Sequence, residues 1–198
     1  MKEVLHSLRC IGFTTAARIG EALGIPESDV ESELIDLAVA GLVTTVPGAF
    51  GGWGLTDAGR AADAERGAAE LDNAGTRTAL SAAYDRFMVL NPELLDLCTA
   101  WQTRSVHGAM TPNEHTDSAY DMRVLGRLTD FHERAAGVCA DLSAAMGRFQ
   151  RYHPRLTDAL TRAKAGEREY VADNLSSYHV VWFQLHEDLL VTLGIPRH

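Results

Sequence analysis

The apolar positions of the first forty or so residues predict three short helices. Apolar side chains recur every three to four residues in KEVLHSLRCI, AARIGEALG and ESDVESELIDLAVAGLV, the spacing that puts them on one helical face. Gly12, Gly24 and Gly41 stand where these patterns stop, and glycine commonly follows the last turn of a helix. Thr14 and Thr15 are suited to cap the second helix.

A short hairpin and a further helix are predicted next. The extended pieces LVTTV and GWGLT flank PGAFG, a composition typical of a turn. Thr56 is a suitable N-cap for the following helix, with Asp57 in the first turn. The uncharged run from Leu37 to Thr56 contains Pro47 and five glycines. It is therefore interpreted as a helix end followed by a hairpin, and not as a membrane span.

Three features in this part of the chain carry a family resemblance. GLV ends the third helix, a glycine-rich stretch follows, and LTDAGR begins the next helix. In this order they resemble the MarR-type and related winged helix-turn-helix transcriptional regulators. The resemblance implies a winged helix-turn-helix domain over residues 1–72 and a role as a DNA-binding regulator of transcription.

From residue 73 to residue 198 the pattern predicts helices alone. Gly75 marks a break, the pair Asn91-Pro92 is predicted to begin a helix, and SVHGAMTPNEHT is predicted to be a long irregular loop. The last helix, from Ser177 to Leu193, is apolar nearly all round, which favours burial in a bundle or a dimer interface. The predicted fold class is mainly α: an N-terminal winged helix-turn-helix with a small β-hairpin wing, then an all-α helical domain.

Charge restricts the surface that could meet DNA. The chain has a formal net charge of -9, and residues 1–60 hold four basic and eight acidic residues, the wrong sign for a phosphate-binding face. Hydroxyl groups and a few arginines remain as contacts, and a homodimer would double them. The predicted DNA-binding residues are Thr14, Thr15, Arg18, Ser28, Ser32 and Arg60.

The alternative function is a winged helix that binds another protein and regulates a partner enzyme without binding DNA. The third helix carries five acidic residues and no Lys or Arg: Glu27, Asp29, Glu31, Glu33 and Asp36. Elsewhere LNPELLDLCTAWQ, NEHTDSAYD and SYHVVWFQLHEDLL resemble uncharacterised winged-helix proteins associated with pyruvate, phosphate dikinase-like enzymes. This second resemblance implies that such an enzyme is the partner.

The helical domain is rich in aromatic and histidine residues, which could line a pocket for a small-molecule effector. The ordinary core of a helical bundle is the other interpretation, because apolar stripes at helical spacing are usually core. The predicted pocket residues are Trp101, Tyr120, Phe131, His132, Tyr178, His179, Trp182 and His186.

The same domain raises the question of a metal. Its nitrogen and oxygen donors at helical spacings are of the kind that zinc binds: His115, Asp117, Asp121, His132, His179 and His186. No HxxxH or HExxH pair is present, so hydrogen-bonded histidines are the favoured interpretation, and neither a metal nor another cofactor is predicted. A serine elbow, a phosphate loop and a Cys–His signature are also missing from the sequence, so an enzyme is not predicted.

The three cysteines point to a reducing compartment. Cys10, Cys98 and Cys139 are odd in number, far apart and surrounded by apolar residues, which predicts buried free thiols. The start of the chain has no evident export signal. The resulting hypothesis is a cytoplasmic homodimer in which an effector bound to the helical domain changes the separation of two winged helices.

Overall fold

The protein is described from a computed structural model, which covers residues 2–48, 51–106 and 108–196. It is mainly helical, with 73% helix and 8% strand, so the predicted mainly-α class is confirmed at that level. The helices are α1 (Lys2–Ile11), α2 (Ala16–Leu23), α3 (Glu27–Val39), α4 (Asp57–Ala74), α5 (Arg77–Gln102), α6 (Ser118–Ala145), α7 (Tyr152–Lys164) and α8 (Tyr178–Leu193). Short 3₁₀ turns occupy Gly147–Arg151 and Arg168–Tyr170.

Two antiparallel hairpins complete the secondary structure of the described residues. Strand β1 (Val43–Val46) pairs with β2 (Gly52–Leu55), and β3 (Thr103–Val106) pairs with β4 (Ala109–Pro112). The first hairpin agrees with the sequence prediction, although Ala49 and Phe50 of the predicted turn lie outside the described residues. Within the described ranges, no helix combines the length and the apolar character that crossing a bilayer requires.

The chain forms two compact units. The first comprises residues 1–75 together with 184–198, and the second comprises residues 76–183. This division differs from the predicted one, which placed the whole C-terminal helix in the second domain. The last ten residues of α8 belong to the first unit, where Asp188 is hydrogen-bonded to His6 of α1, a contact that connects residues 182 positions apart.

The core of the first unit follows the predicted helical pattern. Its buried residues come from α1, α2, α3 and β1: Val4, Leu5, Leu8, Ala16, Ile19, Val30, Leu34, Leu37 and Val43. Gly24 ends α2 in the left-handed conformation, with its N–H donating to the carbonyl of Gly20. Ile35 of α3 lies outside this core and is 57% exposed. It lies one residue beyond Leu34 on α3, and so about 100° round the helix from it.

The second unit departs from the prediction in two places. Residues 105–106 and 109–112 of the segment predicted to be an irregular loop belong to the β3–β4 hairpin, so the second unit is not all-α. His107 of that segment lies outside the described residues. In addition, α5 continues through Pro92 from Arg77 to Gln102, whereas a new helix was predicted to begin at Asn91. The Asn91 side chain accepts a hydrogen bond from the indole N–H of Trp182, which explains why an asparagine occurs at this position without capping a helix.

Candidate functional site

The segment between α1 and α2 holds two of the predicted DNA-binding residues in structural roles. Thr14 is buried, and its backbone exchanges two hydrogen bonds with Trp53 of β2, at 3.0 and 2.7 Å. This isolated bridge places Thr14 against the edge of β2 that does not face β1. Thr15 is exposed and caps α2 by accepting from the backbone N–H of Arg18. Thr14 was predicted to contact DNA, but its side chain is buried and therefore not accessible to a duplex.

The outer face of α3 combines hydroxyl, acidic and apolar side chains. Ser28 and Ser32 are exposed, as predicted for contact residues, and the Ser32 hydroxyl donates back to the Ser28 carbonyl at 3.0 Å. Further along the helix, Ile35 is 57% and Val39 86% exposed. These two residues are four apart and therefore adjacent on the helix surface. They form a small apolar patch among carboxylates.

The LTDAGR motif is explained by the start of α4. The Thr56 hydroxyl accepts from the N–H of Gly59 at 3.0 Å and donates to the Gly41 carbonyl at 2.8 Å. Gly59 is needed because a Cβ there would overlap the carbonyl oxygen of Leu42. The residues that carry the family resemblance therefore fix the junction between the hairpin and α4.

Arg60, the last residue of that motif, is exposed but engaged. Its guanidinium donates to the carboxylate of Asp57 at 2.7 Å and to the carbonyl of Leu55 at 3.2 Å. One of the two arginines that were predicted to contact phosphate is thus paired with a carboxylate. Over the whole first unit, six Lys and Arg residues stand against fourteen Asp and Glu residues, a formal net charge of -8. Eight of the nine units of the chain's formal net negative charge therefore belong to this unit.

A second feature of the first unit is a buried polar cluster around His6. The Nδ1 atom of His6 donates to Asp63 at 3.1 Å, and its Nε2 atom donates to Asp188 at 2.9 Å. The sulfur of Cys10 lies 3.6 Å from the same Nε2 atom. The side chains of His6, Asp63 and Asp188 are only 8%, 3% and 0% exposed. Thr192 donates to the Asp188 carboxylate at 3.1 Å.

This environment favours the protonated form of His6. Burial lowers the pKa of the imidazole, but negative charge on Cys10 and Asp188 and hydrogen bonds to Asp188 and Asp63 outweigh it and raise the pKa well above its ordinary value. Each ring nitrogen faces a carboxylate, an arrangement that suits an imidazolium with two N–H donors. The cluster is thus a positive ring held between two negative groups.

The sequence prediction missed this cluster. Its only local trace is the spacing of His6 and Cys10, four residues apart on α1 and hence on one face. Asp63 and Asp188 come from α4 and α8, far away in sequence. No pattern in either helix distinguishes these two carboxylates from the exposed ones around them.

In the second unit, several predicted pocket residues form a packed core. Phe131, Tyr178 and Trp182 are buried, and the Trp182 ring stacks on Phe87 with centroids 4.4 Å apart. The Phe131 ring meets Trp182 edge to face at 5.2 Å. These contacts are those of a bundle core, which is the interpretation that competed with the pocket.

His132 lies at the edge of this core in a directed chain of hydrogen bonds. Burial raises the pKa of Tyr178, so its hydroxyl keeps its proton and donates to Nδ1 of His132 at 3.1 Å. Nε2 of His132 then donates to Thr157 at 3.3 Å, and Thr157 donates to the carbonyl of His153. Burial, together with the positive charge of His153, lowers the pKa of His132.

The remaining predicted pocket residues are spread over several places. Trp101 packs against the ring of His115 at 4.6 Å, and Tyr120 donates to the carbonyl of Ala100. His179 is half-buried in the part of α8 that belongs to the second unit. His186 belongs to the first unit.

Of the histidines and carboxylates considered as metal ligands in the second domain, one pair meets. Nδ1 of His115 donates to Asp121 at 3.0 Å. Asn113 donates to the same carboxylate and to the Trp101 carbonyl, so these groups connect the end of β4 to α5 and α6. Asp117 instead caps α6 by accepting from the N–H of Tyr120.

Comparison of the chain with known protein families, with curated proteins and with solved structures finds no match.

Proposed function

We propose that the first unit is a winged helix-turn-helix and that the protein is a regulator that binds another protein through the exposed face of α3. The order α1, α2, α3, β1, β2, α4 supports the fold assignment. The Thr14–Trp53 bridge supports it further, because it pairs the segment between the first two helices with the second strand of the wing.

The observation that carries the choice of a protein partner is the composition of the α3 face. Its thirteen residues contain no Lys or Arg, and the exposed apolar pair Ile35 and Val39 lies among carboxylates. Affinity for a duplex comes largely from cations that neutralise phosphates, and this unit has a formal net charge of -8. An apolar centre with a charged rim is the usual anatomy of a protein interface.

The partner is expected to present a basic surface around an apolar recess. Carboxylates on α3 would speed its approach, and burial of Ile35 and Val39 would hold it. The resemblance to winged-helix proteins associated with pyruvate, phosphate dikinase-like enzymes makes such an enzyme from the same cell the first partner to test.

Site-specific photocrosslinking tests the proposal in cells. A photoreactive amino acid at position 39 is expected to crosslink a discrete protein. The matched control is position 122, where Met122 is 65% exposed on α6 of the second unit, and no crosslink to that protein is expected there. Crosslinks to DNA from position 39, or identical products from both positions, would contradict the proposal.

Two double variants with the same reversal of charge distinguish a specific contact through α3 from nonspecific binding. The double variant Glu31→Lys/Asp36→Lys is expected to abolish the crosslink at position 39 and binding to the purified partner. The double variant Glu65→Lys/Asp72→Lys makes the same change of charge at exposed positions of α4 and is expected to preserve both. Equal losses in the two variants would show that α3 is not the contact surface.

The second candidate function is the DNA-binding homodimer, which the exposure of Ser28 and Ser32 on α3 favours. Serine hydroxyls can meet several base edges, and Arg18 lies in the first turn of α2, where helix-turn-helix proteins usually hold the DNA backbone. Affinity for its own upstream duplex, measured across a salt series, tests this function. A steep fall of affinity with salt, together with weaker binding by Arg18→Ala, would establish it and displace the protein partner.

A further inference from the structure

We infer that His6, Cys10 and Asp188 form a zinc-binding site inside the first unit, with Asp63 and Thr192 as supporting residues. This inference is independent of the proposed function. The three ligand atoms, Nε2 of His6, Sγ of Cys10 and a carboxylate oxygen of Asp188, all lie within 4.8 Å of one another. All three residues are buried, so the ligands converge on one point in the interior.

The spacing of the ligand atoms fits a tetrahedral ion. Zinc bonds of about 2.1 Å to nitrogen or oxygen and about 2.3 Å to sulfur place neighbouring ligands roughly 3.4–3.6 Å apart. The observed separation from Nε2 of His6 to Sγ of Cys10 is 3.6 Å. The separation from Nε2 to the Asp188 oxygen is 2.9 Å, so these two atoms would move apart by about half an ångström to become neighbouring ligands. The third pair, Sγ of Cys10 and the Asp188 oxygen, lies within 4.8 Å.

The outer contacts are those that a ligating histidine requires. Metal-bound histidines usually donate their other ring N–H to a carboxylate, which fixes the ring and its tautomer. Nδ1 of His6 makes this contact with Asp63 at 3.1 Å, leaving Nε2 directed at Cys10 and Asp188. The Asp188 carboxylate is oriented in turn by the Thr192 hydroxyl.

The donor set selects the kind of metal. A thiolate with an imidazole and a carboxylate suits zinc better than magnesium or calcium, which prefer oxygen alone. Three protein ligands leave a fourth position for water. Cys10 is only 3% exposed, so the ion is expected to have a structural role. It would stabilise the first unit by linking α1 to the end of α8.

The negative groups of the cluster suit a divalent ion in a buried place. Nε2 of His6 must release its proton to act as a ligand, and Cys10 binds as a thiolate. The thiolate and the Asp188 carboxylate offset the charge of the ion, which reduces the desolvation cost of placing it in a core.

Cobalt(II) is the probe that tests the inference on the full chain freed of metal by chelation. One cobalt ion per chain is expected, with the visible bands of tetrahedral cobalt and a thiolate-to-cobalt charge-transfer band in the near ultraviolet. Zinc is expected to abolish these bands by displacing cobalt. Failure to bind either ion stoichiometrically, or octahedral cobalt without the charge-transfer band, would overturn the inference.

Cysteine variants assign the thiolate. The double variant Cys98→Ser/Cys139→Ser keeps Cys10 as the sole cysteine and is expected to retain the charge-transfer band. Cys10→Ser is expected to lose the band, and Cys139→Ser, which alters another buried thiol, to keep it. Persistence of the band without Cys10, or its loss in the double variant, would refute the assignment, and the double variant decides the question even if Cys10→Ser fails to fold.

The supporting role of Asp63 has its own measurement. Asp63→Asn keeps the size of the side chain but weakens its hold on Nδ1 of His6. It is expected to lower zinc affinity about 10- to 100-fold while retaining the charge-transfer band at saturating cobalt. An unchanged affinity would mean that Asp63 is not an outer contact of a bound ion.

Discussion

The indole N–H of Trp182 donates to the side-chain oxygen of Asn91 at 3.0 Å. The Trp182 ring is buried between Phe87 and Phe131, where an unsatisfied N–H would be costly. The amide of Asn91 thus allows an indole to lie in the core of the second unit. It also joins α5 and α8, which are far apart in sequence.

Replacing Asn91 by Ala should therefore destabilise the second unit. The expected cost is about 1–3 kcal/mol in the free energy of unfolding, because a buried donor loses its partner. Urea unfolding followed by tryptophan fluorescence measures it. Gln102→Ala is the control, since it removes the hydrogen bond to Asp173 at an exposed site and should cost less than about 0.5 kcal/mol. Equal losses of unfolding free energy in the two variants would show that the hydrogen bond from Trp182 contributes no more to stability than an exposed one.

Two glycines of α4 should respond in opposite ways to alanine. At Gly59 a Cβ would overlap the carbonyl oxygen of Leu42, whereas at Gly67 nothing lies within 4 Å of it. Gly59→Ala should destabilise the first unit by about 2 kcal/mol or more, because backbone must move. Gly67→Ala should stabilise it by about 0.5–1 kcal/mol through helix propensity. Thermal unfolding compares the two, and a neutral Gly59→Ala would contradict the close approach of α4 to the hairpin.

Loss of Asp188 should be severe in the metal-free protein. Asp188→Ala leaves the buried imidazolium of His6 with one of its two carboxylates, and breaking a buried ion pair costs about 3–5 kcal/mol. Chemical unfolding in chelator measures the loss. Asp36→Ala, an exposed carboxylate of α3, should change stability by less than about 0.5 kcal/mol. Similar stability of the two variants would mean that the His6 cluster contributes little.

His132 should make the second unit less stable in mild acid. Its pKa in the folded protein is lowered by burial and by the charge of His153, so the unfolded chain binds a proton more readily. The stability contributed by neutral His132 is fully present above its unfolded pKa of about 6.5. This contribution to stability is lost as the pH falls through the lower pKa that His132 has in the folded protein.

Comparison with His132→Gln isolates this effect, since glutamine is not titratable. Between about pH 7.5 and pH 5 the wild-type protein should lose more unfolding free energy than the variant. Parallel pH profiles would show that His132 titrates normally in the folded protein.

Much of the secondary structure followed from the sequence because its causes are local. Helical spacing of apolar residues predicted α1, α2 and α3, and the residues around Thr56 predicted the start of α4. The burial of all three cysteines, which the structure confirms, was predictable from their apolar neighbours. Ser28 and Ser32, which are predicted DNA contacts, are both exposed on α3, and their exposure follows the helical period.

Local patterns failed where the determining contact is distant. Asn91-Pro92 has the composition of a helix start, yet α5 passes through it. The strands of the β3–β4 hairpin contain too few residues of high β-propensity to be distinguished from a loop in the sequence. Thr14 resembles an exposed cap, and only its pairing with Trp53 shows that it is buried.

The sequence by itself determined the helical class of this protein, the first hairpin and the acidic character of α3, because these properties belong to residues close together along the chain. Only the tertiary structure decided that His6 and Cys10 of α1 would meet Asp63 of α4 and Asp188 of α8. The physical reason is that burial and the direction of a side chain are set by the packing of whole helices. A carboxylate in the core and one in solvent have the same letter in the sequence.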